Sequence, residues 1–167
     1  MVQIDLMEIL QEKNRAKFEM FLRSLENGQV SEEDEADFFK EAPQDWLSDY
    51  LDVTFPQKAS ERVLMVVGSD TLLQKSHDLW GFWDENVHWV FASGTHSVCE
   101  RVLSCMKSAP GYEAEELMLR RNSRDLLVLW LEKFKSLSED GERIICEDNS
   151  LQELKNLYIE KMITNPY

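Results

Sequence analysis

Asp70, His96, Glu147 and Asp148 are the residues whose types best suit metal or acid–base chemistry, and each follows an apolar run. Arg62–Val67 runs into Gly68-Ser69-Asp70, Val87–Ala92 into Ser93-Gly94-Thr95-His96, and Arg143–Cys146 into Glu147-Asp148. Read as strands, these runs make the strand–turn–helix rhythm of an open α/β sheet. Such sheets bind ligands at the carboxyl ends of their strands. If the strands are parallel, the four residues share one edge. Carboxylates converging with a histidine suit Mg²⁺ or Mn²⁺ and could assist hydrolysis of a phosphoester, as in a nuclease or phosphatase. A plainer reading competes: Ser69, Asp70, Thr95 and Ser150 stand where helices should begin, and such residues are good N-caps. A nucleophile built from Ser69 or Ser93 with His96 and Asp148 has no local motif behind it. No phosphate loop, dinucleotide fingerprint, nucleophile elbow or His-Glu-x-x-His occurs. The sequence therefore implies no cofactor.

The stretch from Ser31 to Tyr50 points to binding. It combines Glu32, Glu33, Asp34, Glu35, Asp37, Glu41, Asp45 and Asp49 with Phe38, Phe39, Trp46 and Tyr50. Aromatic anchors inside an acidic rim suit a partner protein with a basic or apolar segment. Leu79-Trp80-Gly81-Phe82-Trp83, followed by Trp89, is the densest aromatic cluster of the chain. Its Trp83 joins the candidate partner-binding residues, because Trp is enriched at binding hot spots. Against both stands core packing, in which aromatic side chains bury their large areas. The preferred function is a non-catalytic protein-interaction or regulatory subunit, with the metal-dependent hydrolase as the alternative.

The elements that must position these residues are read from periodicity. Helices are expected over residues 2–26, with Asn14 either capping a second helix or buried. Ser31 should cap a helix ending near Ala42, and Trp46, Leu47, Tyr50 and Leu51 mark another. Pro56 closes this acidic helical region. From residue 62 the expected order is β-α-β-α-α-β-α, with one helical stretch over 112–137, a turn at Asp140-Gly141 and a terminal helix ended by Asn165-Pro166. The fold expected is α/β: a small, mainly parallel sheet of about three strands flanked by helices. Domains are placed at 1–56 (helical) and 57–167 (α/β). No internal repeat is legible.

Composition bounds the partners. The 167 residues carry a formal net charge of −14. Residues 1–61 hold 15 acidic and 6 basic side chains, the remainder 17 and 12. No extended basic stripe exists to neutralise phosphates, which excludes a general nucleic-acid binder and disfavours anionic membranes. Arg120, Arg121 and Arg124 are the one basic cluster. No apolar run reaches membrane-spanning length, and no signal-peptide pattern opens the chain. Cys99, Cys105 and Cys146 show no Cys-x-x-Cys spacing, which fits a reduced intracellular compartment, cytoplasmic or nuclear.

Overall fold

The computed structural model describes residues 4–26 and 28–164. Among these residues there is no strand, so the expected parallel sheet is overturned. The chain forms two compact units, Met1–Asn86 and Val87–Tyr167. Pro56 lies inside the first.

Each run read as a strand is the apolar end of a longer helix. In α5 (Lys58–Val67), Ser60, Glu61, Leu64 and Met65 are buried, while Val66 and Val67 are exposed. That is a 3.6-residue stripe, and its first half is polar by composition. In α7 (Asp84–Ser93), Val87, Val90 and Phe91 are buried while His88 and Trp89 are half-buried. Strand alternation over this run would instead put Trp89 and Phe91 on one face. In α11 (Glu139–Glu147), the expected turn Asp140-Gly141 is the first helical turn, and Gly141 and Ile145 are buried four residues apart. β-Branched runs of four to six residues resemble strands only when the polar residues upstream are set aside.

The first unit comprises α1 (Leu6–Gln11), α2 (Arg15–Arg23), α3 (Glu32–Glu41), α4 (Gln44–Val53), α5 and α6 (Asp70–Trp80). Asn14 caps α2 by accepting from the Lys17 amide, and Ser31 caps α3 by accepting from Asp34. Asp34 in turn accepts from the Leu6 amide at 2.6 Å, which fixes the start of α1. The core is aromatic. Phe18 stacks on Trp46 at 4.5 Å between centroids, and Phe38 lies 5.6 Å from Tyr50.

The second unit begins within α7 and continues with α8 (His96–Cys105), α9 (Tyr112–Arg120), α10 (Arg124–Phe134), α11, a 3-10 turn (Asn149–Leu151) and α12 (Gln152–Thr164). The single helix expected over 112–137 is two. Asn122 takes a positive φ of 53° between them, and Ser123 caps the second. The expected stop at Asn165-Pro166 lies outside the described residues.

The two units repeat one plan. Buried residues recur at a constant offset: Phe38 and Met118, Trp46 and Leu126, Leu47 and Leu127, Tyr50 and Trp130, Leu51 and Leu131. Helix N-caps follow it within a residue, as at Asn14 and Thr95, or Gln57 and Ser138. A buried glutamate marks the repeat most clearly. Glu35, in the first turns of α3, accepts from the Gln57 amide at 2.7 Å and from the Tyr50 hydroxyl at 2.5 Å. Glu115, at the matching place in α9, accepts from the Ser138 amide at 3.1 Å and the Ser138 hydroxyl at 2.5 Å. Each carboxylate thus satisfies the amide that opens the fifth helix of its unit, where unpaired N–H groups and the helix dipole favour an anion.

The third residue of that fifth helix must be small. It is Ser60 in one unit and Gly141 in the other, both buried. A Cβ at Gly141 would stand 2.7 Å from the Glu115 carboxyl carbon and 3.3 Å from Leu137 Cβ. Alanine normally stabilises a helix interior by about 1 kcal/mol over glycine. Here Gly141→Ala should instead cost about 1–3 kcal/mol, because the carboxylate is pushed off Ser138. Thermal unfolding tests this, and a variant that melts higher than the parent would contradict the clasp.

Candidate functional site

Two short connections of the first unit meet in a cluster of open aromatic rings. One joins α4 to α5 and carries Phe55 and Pro56. The other joins α6 to α7 and carries Gly81, Phe82 and Trp83. Gly81 makes the second possible, since its φ of +73° lies where side chains are disfavoured. Trp80 ends α6 and donates its indole N–H to the Leu51 carbonyl at 2.8 Å. The Trp83 indole N–H donates to the Pro56 carbonyl at 2.9 Å, and its amide donates to Glu61 at 2.9 Å. Both indoles are therefore fixed at their polar edges by hydrogen bonds. Phe55 makes edge contacts with both, at 6.1 Å between centroids in each case.

These rings are not spent on the core. Phe55 is 41% exposed and Trp80 43%, with Val53 and Leu79 exposed beside them in sequence. Phe55, Trp80, Phe82 and Trp83 line a cleft of about 470 Å³ together with Asp84 and Glu85. A second cleft of about 450 Å³ shares Phe55 and Trp83 and adds Leu25, Val30, Glu32 and Glu35. The Lys58 ammonium lies 5.2 Å from the centre of the Trp83 ring and donates to Glu85 at 2.8 Å. Glu61 is 1% exposed and accepts from Asn86 as well as from Trp83. Burial pushes its carboxyl up to about 7, against the lowering effect of those two hydrogen bonds.

The residues singled out from sequence are placed differently. Phe38, Phe39, Trp46 and Tyr50 are buried in the first unit, so the surface expected from them is its interior. Of their acidic neighbours, Glu35 is buried with them, while Glu32, Glu33, Glu41 and Asp45 are exposed, the amphipathic pattern of a surface helix. Trp83 does lie at the open cluster. Phe55 and Trp80 were missed. The signal for them was the aromatic pair flanking Gly81, together with a lone Phe before a proline.

Asp70, His96, Glu147 and Asp148 lose their common edge with the sheet. Asp70 opens α6 in the first unit, and the other three lie in the second. His96 opens α8, with its ring nitrogen 2.8 Å from Glu100. Glu147 ends α11. Asp148 accepts from the Ser150 amide and hydroxyl and pairs with Arg120 at 3.1 Å. The Ser150 bonds and then Arg120 hold its carboxyl below the usual range. Among the described residues, no three His, Cys, Asp or Glu side chains gather as metal ligands.

The chain matches no family model, no curated protein and no solved structure. Function must be argued from this chain alone. The basic cluster offers little, because Arg121 donates to the carbonyls of Phe91 and Gly94 and Arg120 is paired with Glu116 and Asp148. No helix among the described residues is long and apolar enough to cross a membrane.

Proposed function

We propose that this chain is a non-catalytic protein-interaction or regulatory subunit that docks a partner on the Phe55–Trp80–Trp83 face of its first unit. The observation that supports the reading is the anchoring of both indoles by backbone carbonyls while Trp80 and Phe55 stay open to solvent. A ring held by its own fold loses little entropy on binding, and Trp is the residue most often found at hot spots. Asp84, Glu85 and Glu32 supply an acidic rim, which steers a basic, apolar segment toward the rings. The three free thiols fit a reducing intracellular compartment. The alternative, a metal-dependent phosphoester hydrolase, drew its support from three strand ends that are helix ends here.

Partner capture tests the reading. The tagged full chain is compared with Trp80→Ala, Phe55→Ser and Met20→Ser, the last altering a side chain 69% exposed on α2. A partner retained by the parent and Met20→Ser should be lost about 30-fold or more by Trp80→Ala, the size of a hot-spot truncation. Equal capture by all four chains, each folded by circular dichroism, would remove the face from consideration.

A further inference from the structure

The cleft at the α6–α7 connection has the composition of a cation site. Its walls include four aromatic side chains, Phe55, Trp80, Phe82 and Trp83, and its acidic residues are Glu61, Asp84 and Glu85. No Lys or Arg is among its lining residues. Aromatic faces are the negative ends of ring quadrupoles, and a desolvated alkylammonium or guanidinium packs against them within about 6 Å. The molecule already makes one such contact. Lys58 lies outside the cleft lining, yet its ammonium reaches two lining residues, the Trp83 ring at 5.2 Å and Glu85 at 2.8 Å. Trp83 and Glu85 together thus hold a cation in the free protein.

Phe55 gives the cluster its shape. It is inclined by 63° to Trp80 and by 62° to Trp83, with equal centroid spacings, so the three rings form a bent wall and not a closed stack. The indole N–H groups are turned into the protein. A cation arriving from solvent therefore meets ring surface and carboxylate, with no competing indole donor. Phe82 is backed by the His77 ring at 4.5 Å.

Resting on the docking reading above, we infer that this cleft receives the cationic head of a partner's lysine or arginine side chain, against Phe55, Trp80 and Trp83 and beside Asp84 and Glu85. Charge complementarity selects this occupant over a purely apolar one: the cleft carries two exposed carboxylates, Asp84 and Glu85, and the nearby base is already drawn onto Trp83. Lys58 would compete with the incoming cation for the same ring and the same carboxylate.

The test uses choline and its neutral carbon isostere, 3,3-dimethylbutan-1-ol, on the full chain. The readout is the indole N–H signals of Trp80 and Trp83 in nitrogen-correlated NMR spectra. Choline should shift both signals saturably and bind about tenfold more tightly than the alcohol, with that preference falling as salt rises. Lys58→Met should widen the preference by about two- to fivefold, since the internal competitor is gone. Equal or tighter binding of the alcohol, or no saturable shift with either compound, would overturn the cation site. If the alcohol wins while Trp80→Ala still abolishes partner capture, docking stands and the cation inference alone is wrong. If choline binds as expected while Trp80→Ala captures the partner in full, docking fails, and with it the assignment of the cation to a partner.

Discussion

Glu35→Ala should destabilise the first unit by about 3–5 kcal/mol, one of the largest single-residue effects available in this chain. Glu35 is 2% exposed, and its two oxygens satisfy a buried hydroxyl and the amide that opens α5. Alanine would leave the Tyr50 hydroxyl and the Gln57 amide without their acceptor and add a void in the core. Charge-assisted hydrogen bonds are stronger than neutral ones, and an orphaned buried donor costs its full desolvation. Tyr50 is a dependable donor, because burial and then the Glu35 carboxylate push its phenol well above the ordinary value. Tyr50→Phe, which keeps the packing, should cost only about 1–2 kcal/mol. Denaturant unfolding of Glu35→Ala, Tyr50→Phe and the double variant measures the coupling directly. Should the double variant lose the full sum of the single effects, the two groups are not coupled and the clasp as described is wrong. Glu115→Ala should act alike in the second unit, where the Ser138 amide and hydroxyl lose their acceptor.

Stability should also fall with rising pH across the range set by Glu61. Its carboxyl stands at about 7 in the folded protein against an ordinary value of 4.5. The sign follows from proton counting. Between these values the native state holds the proton more than the unfolded chain does, so stability decreases as pH rises. The contribution is fully present below pH 4.5 and is lost as pH passes through about 7. A shift of that size corresponds to roughly 3 kcal/mol at 1.36 kcal/mol per unit. Lys58 and Arg62 share its helix, Asp84 and Glu85 open α7, and Asn86 holds both the Glu61 carboxylate and the Arg62 guanidinium. Desolvation outweighs the hydrogen bonds from Asn86 and Trp83. Glu61→Gln keeps an acceptor for those bonds and cannot ionise. Melting temperatures of the two chains from pH 4.5 to 8 should therefore cross, the glutamine variant gaining on the parent as pH rises. A difference that stays constant over that range would show that the buried carboxyl does not titrate there.

Local structure was legible where a cap or a breaker speaks for itself. Asn14, Ser31, Pro43 and the end of α6 at Gly81 all fall where side-chain chemistry alone would set them. The fold class was not legible, because Val63–Val67, Val87–Ala92 and Arg143–Cys146 are apolar and β-branched over lengths that suit either a strand or half a helix. What decides for helix is tertiary: Glu61 faces inward among buried residues and earns its place by holding Trp83 and Asn86. The repeat was hidden because its counterparts differ in kind. Phe38 corresponds to Met118, Trp46 to Leu126 and Tyr50 to Trp130, so burial recurs while the aromatic identities do not, and the matching pairs Leu47–Leu127 and Leu51–Leu131 are ordinary core leucines. Glu35 and Glu115 recur unchanged, but an isolated glutamate in an acidic chain carries no mark of burial. The same blindness misdirected the site. Phe38, Phe39, Trp46 and Tyr50 sit among carboxylates in sequence, yet their rings pack into the core, where only Glu35 follows them, bound to the Tyr50 hydroxyl. Phe55 and Trp80 look like core residues and stay exposed.

Photo-crosslinking from position 80 is the most direct test of the docking face. The full chain, carrying p-benzoylphenylalanine in place of Trp80, is irradiated in cells, with the same group at Met20 as the control surface. The expected result is one discrete adduct with a second protein from position 80, absent from position 20 and lost when Phe55→Ser is added. No adduct from position 80, or the same adducts from both positions, would contradict a docking face formed by Phe55, Trp80 and Trp83.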